Sequence, residues 1–491
     1  MRGNVEERRE KILNGKIIPT LLSLAWPVVI GSMLQTAYNL ADTFWLGRVS
    51  AEAVAAPTTS FPLIMVLNAL GMGLATAGIS LVSQHTGSGG DRTANEAAGQ
   101  VYGLLLIISI AGGLIGFFSS GYILKFIADP DVYPYALNYV RIIFAGAPFM
   151  FSFIAFRFIL RGTGDMKTPM YIRLVAVGLN VILDPFLILG SGAVVDIGLF
   201  SFTIPTIFGY SIPSWGVSGA AVATITTRSI AAIVGMYLLF NGKVDIHLSI
   251  KDIKVKFRWV KKIFDIGLPA SIARVGSSLG FVGLITIISS FGTIAIASYG
   301  VGQRVIQMIN LGIWGFAGSA TTMVGQNVGA KQKSRAEEIV KKTLMVSGVI
   351  MVSIAIIIYL IRKPMVGFFL SSDIEHFDAV VKEASLFISI FVVSIPFFGW
   401  FRIFDSTYRG TGHTKAAMVF SLTRILVLRL GFSIFLAFPL FGIGLNLGTV
   451  GVWTGMSLSN ITITGLSYLY FRTDKWKERT IEEREETKST P

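Results

Sequence analysis

Two carboxylates in this sequence lie within long apolar stretches, where a charged side chain is costly. They are Asp42 and Asp184. An ionisable group at the centre of a lipid bilayer costs about 2.5–3.5 kcal/mol on insertion scales, so it normally faces a cavity or a partner. Asn180 precedes Asp184 by one helical turn and would lie on the same helix face. These three residues are the first candidates for a functional site.

A hydroxyl and a phenol are predicted at a depth similar to that of the carboxylates. Thr224 lies about nine residues into one apolar run, and Tyr139 lies early in another. Two carboxylates brought close together disfavour each other's charge, so one of them can hold a proton near neutral pH. The same oxygens, with an amide carbonyl and a hydroxyl, could instead ligate sodium. The simpler alternative is that each polar group only bridges neighbouring helices.

The elements that would position these side chains are transmembrane helices. Hydrophobic residues make up 53% of the 491 residues and charged residues 14%, with a mean hydropathy of +0.67. A water-soluble chain of this composition would expose large apolar patches. The apolar runs of about 20–30 residues can cross a hydrocarbon core of roughly 30 Å as helices. We predict about 12 spans, near 17–46, 54–84, 97–126, 134–160, 169–194, 215–240, 259–291, 294–325, 340–362, 382–408, 414–438 and 450–471.

The sequence is an internal duplication. The phrase Arg-Gly-Thr-Gly at the start of residues 161–169 returns at the start of residues 409–417, and the segment 83–87 resembles 325–329. Internal repeats decide architecture before local patterns do. An even number of spans per copy means that both copies enter the membrane in the same sense, as parallel halves related by an axis along the membrane normal. We therefore predict an all-α membrane protein with two six-helix lobes related by pseudo-twofold symmetry.

Loop charge predicts the orientation of these lobes. With a cytoplasmic N-terminus, the inside segments hold about 28 Lys and Arg and the outside loops about 4. These basic residues are topology signals that meet anionic lipid, so nucleic-acid binding is not expected. Both termini are predicted to be cytoplasmic, with the chain in the cell membrane. The predicted parts are a cytoplasmic N-terminus (1–16), an N-terminal lobe (17–241), a cytoplasmic linker (242–258), a C-terminal lobe (259–471) and a charged cytoplasmic tail (472–491), which is interpreted as solvated.

Several sequence features exclude other classes of protein. The chain has no Gly-x-x-x-x-Gly-Lys-Ser/Thr loop with which to bind ATP phosphates. It has no cysteine, and its four histidines lack metal-like spacing. We expect no enzymatic activity and no cofactor, apart from H⁺ or Na⁺ as a coupling ion.

The candidate site is confined to the first copy. A purely structural role would tend to keep polarity in both copies, so this asymmetry favours a function in the N-terminal half alone. The positions in the second copy that correspond to Asp42, Asn180 and Asp184 are Leu284, Leu428 and Phe432.

Several motifs, in order along about 460 residues, carry a family resemblance. They are Trp26-Pro27, Phe44-Trp45-Leu46-Gly47, the paired Arg-Gly-Thr-Gly loops, Leu179-Asn180-Val181-Ile182-Leu183-Asp184-Pro185 and Gly216-x-x-Gly219-Ala220-Ala221-x-Ala223-Thr224. Together they resemble the multidrug and toxic compound extrusion (MATE) family, in its prokaryotic and archaeal branch with a cation site in the N-terminal lobe.

The resemblance implies a V-shaped pair of lobes that exports organic, mostly cationic, compounds against an inward flow of protons or sodium. The expected partners are small organic cations and the lipid bilayer, without nucleic acid or ATP, and the working expectation for the oligomeric state is a monomer. The resemblance also implies a cation site for H⁺ or Na⁺ at Asp42, Asn180, Asp184 and Thr224, a lining of Tyr38 and Tyr139, and a bend at Pro27.

Pro27 has a physical reason to act as a bend. A proline inside a helix removes one backbone hydrogen bond and crowds the preceding turn, which leaves a kink that can straighten or sharpen. Bending at Pro27 would move the segment that carries Asp42. The alternative is that Pro27 serves packing alone, since membrane helices tolerate proline and its counterpart Pro269 has no acid ahead of it.

Two regions depart from the family pattern. Residues 191–214 form a longer outside segment, whose Phe200-Ser201-Phe202 and Ile204-Pro205 are interpreted as a re-entrant or surface element of unknown function. The second half also has one deep carboxylate, Asp405, as a possible second polar site. Arg402 and Arg409 flank it on the same helix face, which favours an intrahelical ion pair.

The arginines of the second half keep a rival function open. A cleft lined by Arg274, Arg424 and Arg429 would suit the pyrophosphate of a lipid-linked sugar better than a cationic drug. The alternative reading is therefore a flippase for a lipid-linked oligosaccharide or another anionic lipid, built on the same fold. A passive channel is a poor fit, because a duplicated bundle with a titratable site in one half is built for alternating access.

Overall fold

The computed structural model describes residues 2–196, 201–206, 210–370, 376–439 and 444–478. The helices before residue 242 are α1 (Arg2–Leu13), α2 (Ile17–Leu46), α3 (Ala51–Gly87), α4 (Asp91–Ile127), α5 (Tyr133–Ala145), α6 (Ala147–Thr163), α7 (Lys167–Ile188) and α8 (Gly216–Phe240). Those after it are α9 (Ile250–Ile253), α10 (Phe257–Ser289), α11 (Thr293–Gly329), α12 (Lys333–Phe368), α13 (Phe377–Phe391), α14 (Ile395–Gly410), α15 (Thr414–Leu422), α16 (Leu430–Ala437) and α17 (Thr449–Phe471).

The described helices confirm a multi-pass, all-α membrane protein. Nine helical segments are long and apolar enough to cross a membrane, and the bent pair α5 and α6 makes ten among the described residues. The other two predicted spans, near 294–325 and 450–471, coincide with α11 and α17, which have 37 and 23 residues. These two helices fall outside the apolar set. The prediction of about 12 spans therefore matches the helices by position but exceeds the number supported by apolarity.

A break at the same place in both copies reflects the duplication. In the first copy α5 and α6 meet at Gly146 with a bend of 53°, and Pro148 lies in the first turn of α6. In the second copy a 3₁₀ turn, Val392–Ser394, separates α13 from α14, and Pro396 lies in the first turn of α14. Proline suits a first helical turn because its missing N–H would have no helical partner there.

The two lobes meet through their first two long helices, since α2 packs on α11 and α3 packs on α10 and α11. Glycines allow the closest approach. A Cβ atom added at Gly87 would lie 2.0 Å from the carbonyl oxygen of Gln326, and one added at Gly329 would lie 2.1 Å from that of Gln84. The C-terminal ends of α3 and α11 therefore touch backbone to backbone.

Residues 191–214 contain a β-hairpin rather than a re-entrant helix. Strands β1 (Val194–Asp196) and β2 (Ser201–Thr203) are antiparallel, with Val195 opposite Phe202. Val194 is 72% exposed, so the hairpin is a surface element. Phe200 lies outside the described residues.

Helix α1 and the described segment after α17 pack on one region of the protein. Ile12 of α1 and Trp476, after α17, belong to one buried cluster with Met166 and Phe316. Trp476 stacks on Phe471 with ring centroids 5.0 Å apart. The interpretation of residues 472–491 as a solvated tail is therefore wrong at Trp476, because the apolar indole outweighs the surrounding charges. Residues 479–491 lie outside the described part.

Candidate functional site

Three helices of the first lobe, α2, α7 and α8, bring most of the predicted site residues together. Helix α7 places Asn180 and Asp184 one turn apart, and the Asn180 side-chain amide donates to Asp184 Oδ1 at 3.0 Å. Helices α2 and α8 meet through Tyr38, whose hydroxyl donates to Thr224 Oγ1 at 2.6 Å. Asp42 lies one turn after Tyr38 on α2, and its carboxyl group lies close enough to that of Asp184 for the two to interact electrostatically.

Asp42, Asn180 and Asp184 form an acidic cluster that has too few hydrogen-bond donors for its oxygens. The Asn180 and Asp184 side chains are 0% exposed. Three of its oxygens, Asp42 Oδ1, Asn180 Oδ1 and Asp184 Oδ2, are buried and receive no hydrogen bond from an N–H or O–H group of the described residues. Two ionised carboxylates close together, with unsatisfied oxygens, are costly in a low-dielectric interior. The arrangement has the chemistry of a site that takes up a proton or a small cation.

Two further residues complete the electrostatics of the cluster. Tyr139 on α5 interacts electrostatically with Asp42 and Asp184. Arg228 on α8 interacts with Asp42 and lies over the Tyr38 ring, 5.6 Å from its centroid. Sequence reasoning missed Arg228, although it lies four residues after Thr224 and therefore on the same helix face. One guanidinium for two carboxylates leaves room for one added positive charge.

The described residues contain no group of three or more His, Cys, Asp or Glu side chains that could hold a metal ion. Any sodium at the acidic cluster would therefore be held by two carboxylates with amide and hydroxyl oxygens, which are the hard ligands that suit such a cation.

Pro27 lies inside α2, which continues without a break from Ile17 to Leu46. Its neighbours Ala25 and Val29 pack against Gly315 of α11 in the other lobe. The proline therefore lies where the helix that carries Asp42 touches the second lobe.

The second lobe carries arginines on the helical stretch that corresponds to α7. A π-helical segment, Thr423–Arg429, lies between α15 and α16. Arg424 donates to Asn460 Oδ1 at 3.4 Å, and Arg429 donates to the same oxygen at 3.0 Å and to Ser459 Oγ at 3.2 Å. Arg304, which lies in the predicted span near 294–325, is by contrast exposed and donates to the Phe369 carbonyl at 3.5 Å.

Asp405 forms the ion pairs predicted on its helix. Its Oδ2 accepts from Arg402 at 3.2 Å and from Arg409 at 2.9 Å, and Ser421 donates to its Oδ1 at 3.3 Å. The carboxylate is 1% exposed. Two guanidinium groups therefore satisfy Asp405, in contrast to the acids of the first lobe.

Arginines also accumulate near the boundary between the lobes. Arg157 lies within electrostatic range of Arg161, Arg173 and Arg228 in the first lobe. Arg274 of the second lobe interacts with Arg161 across that boundary. The basic character predicted for the second half thus extends into the first.

The duplicated phrases meet across the lobe boundary as a symmetric pair. The Gln326 side chain donates to the Gly162 carbonyl at 2.9 Å, and the Gln84 side chain donates to the Gly410 carbonyl at 3.3 Å. Thr322 adds a hydrogen bond to the Arg161 carbonyl at 2.7 Å. We call the two glutamine contacts the glutamine latch. Each copy of the sequence 83–87 or 325–329 thus holds the Arg-Gly-Thr-Gly loop of the other copy.

Comparison with known proteins agrees with this architecture. The MatE family model matches residues 27–186 and 269–435, which are most of the two lobes. The chain therefore belongs to the MatE family of membrane transporters, and it is not an enzyme.

Individual relatives are similar over nearly their whole length. The probable multidrug resistance protein YpnP of Bacillus subtilis is 26% identical over 468 residues, covering 94% of this chain and 96% of that protein. The FAD transporter of Shewanella oneidensis is 24% identical, covering 94% and 96%. A solved outward-facing structure of a multidrug resistance MATE transporter of the MOP superfamily superposes with a TM-score of 0.82 at 22% identity, covering 95% of this chain and 98% of that one. The two-lobe fold is consistent with the V shape of that family.

Proposed function

We propose that this transporter exports small organic compounds, and that a proton or sodium ion bound at Asp42, Asn180, Asp184 and Thr224 drives the export. The observation that carries this proposal is the proximity of the Asp42 and Asp184 carboxyl groups, where Asp42 Oδ1, Asn180 Oδ1 and Asp184 Oδ2 are buried without a donor among the described residues. An ion that enters down its gradient would bind those oxygens in the outward-facing state. It would be released from them in the inward-facing state.

Ion and substrate would compete for one conformational equilibrium. Each ligand shifts that equilibrium only by its difference in affinity for the outward-facing and inward-facing states. Because α2 carries both Asp42 and the Pro27 stretch that packs on the second lobe, ion binding would reach the lobe boundary through one helix. Tyr38 and Tyr139 would line the site and position Thr224 and the carboxyl groups.

The glutamine latch would hold one face of the lobe boundary closed and break when that face opens. The latch lies with α1 and the buried Trp476, so α1 and the described segment after α17 meet at the same face. With the excess of Lys and Arg in these segments, this supports cytoplasmic termini in the cell membrane. The protein would work as a monomer, since each lobe pair contains a complete site.

Efflux from proteoliposomes tests the proposal. A fluorescent organic cation, rhodamine 6G, is loaded, and a pH jump or a sodium jump is applied to the native protein, Asp42→Asn and Asp184→Asn. We expect one gradient to drive efflux and both substitutions to reduce it to background. Asp131→Asn, an exposed carboxylate before α5, is the matched control. Gradient-driven efflux that survives Asp184→Asn would contradict the proposed site.

A second candidate is a flippase for an anionic lipid, such as a lipid-linked oligosaccharide. The arginines near the lobe boundary favour it, because guanidinium groups bind phosphate in a bidentate manner. Movement of a fluorescent anionic lipid between leaflets, without efflux of rhodamine 6G, would support this candidate over the first.

A further inference from the structure

We infer that Arg424, Arg429 and Asn460 form an anion-binding pocket inside the second lobe, which takes the phosphate, sulfonate or carboxylate group of the transported compound. The substrates would then include anionic and zwitterionic amphiphiles beside organic cations. This inference rests on the proposed export function and names the substrate class for it.

The first support is the geometry of the donors. Arg424 and Arg429 both donate to one neutral oxygen, Asn460 Oδ1, at 3.4 Å and 3.0 Å. The Asn460 amide nitrogen in turn donates to Ser394 Oγ at 3.1 Å, which fixes the oxygen toward the arginines. Two guanidinium groups therefore converge on a single acceptor, an arrangement that an oxyanion with several acceptor atoms would satisfy better.

The second support is charge. Among the described residues no carboxylate lies within ion-pair distance of Arg424 or Arg429, and the oxygens of the nearby Asp405 are taken by Arg402 and Arg409. Arg424 is 8% exposed, and its Nε is buried without a hydrogen-bond partner among the described residues. A buried cation without a counter-charge is strongly disfavoured, so the pocket lacks one negative group.

The third support is the backbone. In an α-helix, residues five apart point about 140° away from each other, because each residue turns by about 100°. In the π-helical segment Thr423–Arg429, hydrogen bonds join residues five apart, so Arg424 and Arg429 project to the same side. The unusual helix is what brings the two guanidinium groups together, and such segments occur frequently at functional sites.

Aromatic side chains next to the pocket suit an amphiphile. The Arg424 guanidinium lies 5.2 Å from the ring centroids of both Phe398 and Phe401. Tyr299 lies within electrostatic range of Arg429 and stacks on Trp453. Arg429 is only partly buried, so the approach to the pocket is on its side. A compound with an aromatic body and one anionic group fits this combination.

Equilibrium binding tests the pocket without requiring transport. The probes are 6-carboxyfluorescein, an anion, and rhodamine 6G, a cation with the same ring system, measured by fluorescence polarisation on the purified full chain. We expect Arg424→Gln and Arg429→Gln to weaken carboxyfluorescein binding, relative to rhodamine 6G binding, by about 10-fold or more. This is the size expected for the loss of a charged hydrogen bond. Arg429→Lys should recover part of the difference. Arg304→Gln, which removes an exposed arginine of the same half, is the matched control and should not change the ratio.

Competition between inorganic phosphate and carboxyfluorescein shows whether free phosphate and an anionic substrate use the same site. Inorganic phosphate should displace carboxyfluorescein from the native protein but not from Arg429→Gln. Phosphate that binds at the pocket without displacing carboxyfluorescein would overturn the assignment to substrate. Equal carboxyfluorescein affinity in Arg429→Gln and Arg304→Gln, with both proteins folded, would overturn the pocket itself. Failure of gradient-driven efflux of both rhodamine 6G and carboxyfluorescein, with these binding results intact, would instead reject the proposed export function.

Discussion

The two lobes share one scaffold and carry opposite charges on equivalent helices, although not at equivalent residues. In the first lobe α7 presents Asn180 and Asp184, whereas the equivalent part of the second lobe presents Arg424 and Arg429 on a π-helical segment. On the last helix of each lobe, Arg228 corresponds to Asn460. The glutamine latch, the broken helix and the helix packing are common to both. Duplication therefore preserved the contacts between the lobes and left their interiors free to diverge.

The largest expected effect concerns two acids with opposite surroundings. Asp405 is held by two guanidinium groups, so Asp405→Asn leaves two buried cations unpaired and should destabilise the protein by roughly 3–5 kcal/mol. Asp184 adds an unsatisfied buried oxygen, so Asp184→Asn should stabilise the protein or leave it unchanged. Thermal unfolding in detergent checks both. A lower Tm for Asp184→Asn than for Asp405→Asn would contradict the contrast drawn here.

The next largest effect on stability concerns a charge difference between the two Arg-Gly-Thr-Gly loops. The first loop has Asp165, which shares Arg8 with Asp245 at 3.1 Å and 3.2 Å, and the second has His413 at the equivalent position. Burial raises the pKa of Asp245 to about 6, and Arg8 only partly opposes this. Since the folded-state pKa lies above the unfolded value, ionised Asp245 lowers stability as pH rises from about 4 through about 6. Asp245→Asn should therefore raise stability at pH 8 by up to about 3 kcal/mol.

The pH profile of unfolding distinguishes this cause from others. The advantage of Asp245→Asn should fade as pH falls below about 6, because the native carboxyl then takes a proton itself. Burial lowers the pKa of His413 below the ordinary histidine value of 6.5. Protonation of His413 should therefore destabilise the protein as pH falls below that value. A gain for Asp245→Asn that is the same at pH 4 and pH 8 would contradict the assignment.

A smaller effect tests the lobe contact that both copies share. Gly87→Ala would place a methyl group against the Gln326 carbonyl and should shift the equilibrium toward the state with that face open, by roughly 1–3 kcal/mol. Gly465→Ala, where no atom lies within 4 Å, is the matched control. The chain has no cysteine, so spin labels at Ser88→Cys and Lys333→Cys can report the separation of the two lobes. Unchanged distances in Gly87→Ala would show that this contact does not hold the face closed.

The smallest effect compares the two halves of the glutamine latch. Gln326→Ala removes a 2.9 Å hydrogen bond and Gln84→Ala a 3.3 Å one, so each should favour the open state by about 1 kcal/mol or less, with Gln326→Ala the larger. The same spin labels measure both. A larger shift for Gln84→Ala would show that the two halves of the latch are not equivalent in the way that their distances suggest.

The sequence predicts the scaffold well because the membrane imposes it. Long apolar runs and the repeat place the helices within a few residues, and the cost of burying a charge singles out Asp42 and Asp184. The bend at Gly146 and the hairpin at 191–214 depend on local backbone contacts that hydropathy does not record. Arg228 could have been predicted from its spacing to Thr224, since it follows by one helical turn.

The arginine pocket shows why the rest of the site was harder to predict. Under ordinary α-helical geometry Arg424 and Arg429 point apart, so the sequence alone gives no reason to pair them. The π-helical segment reverses that conclusion. In the same way, the meeting of Gln84 with the Gly410 carbonyl depends on the packing of two lobes, which the repeat implies only as a symmetry.

The most direct test of opposite sites in the two lobes is ligand uptake by the native protein, Asp184→Asn and Arg429→Gln, measured side by side. Cation uptake is followed as ²²Na⁺ binding and as proton uptake in a weakly buffered solution, and anion binding as carboxyfluorescein polarisation. We predict that Asp184→Asn loses cation uptake and keeps carboxyfluorescein binding. Arg429→Gln should lose carboxyfluorescein binding and keep cation uptake. Cation uptake that persists in Asp184→Asn, or the loss of both ligands in either variant while it remains folded, would contradict the division of charge between the lobes.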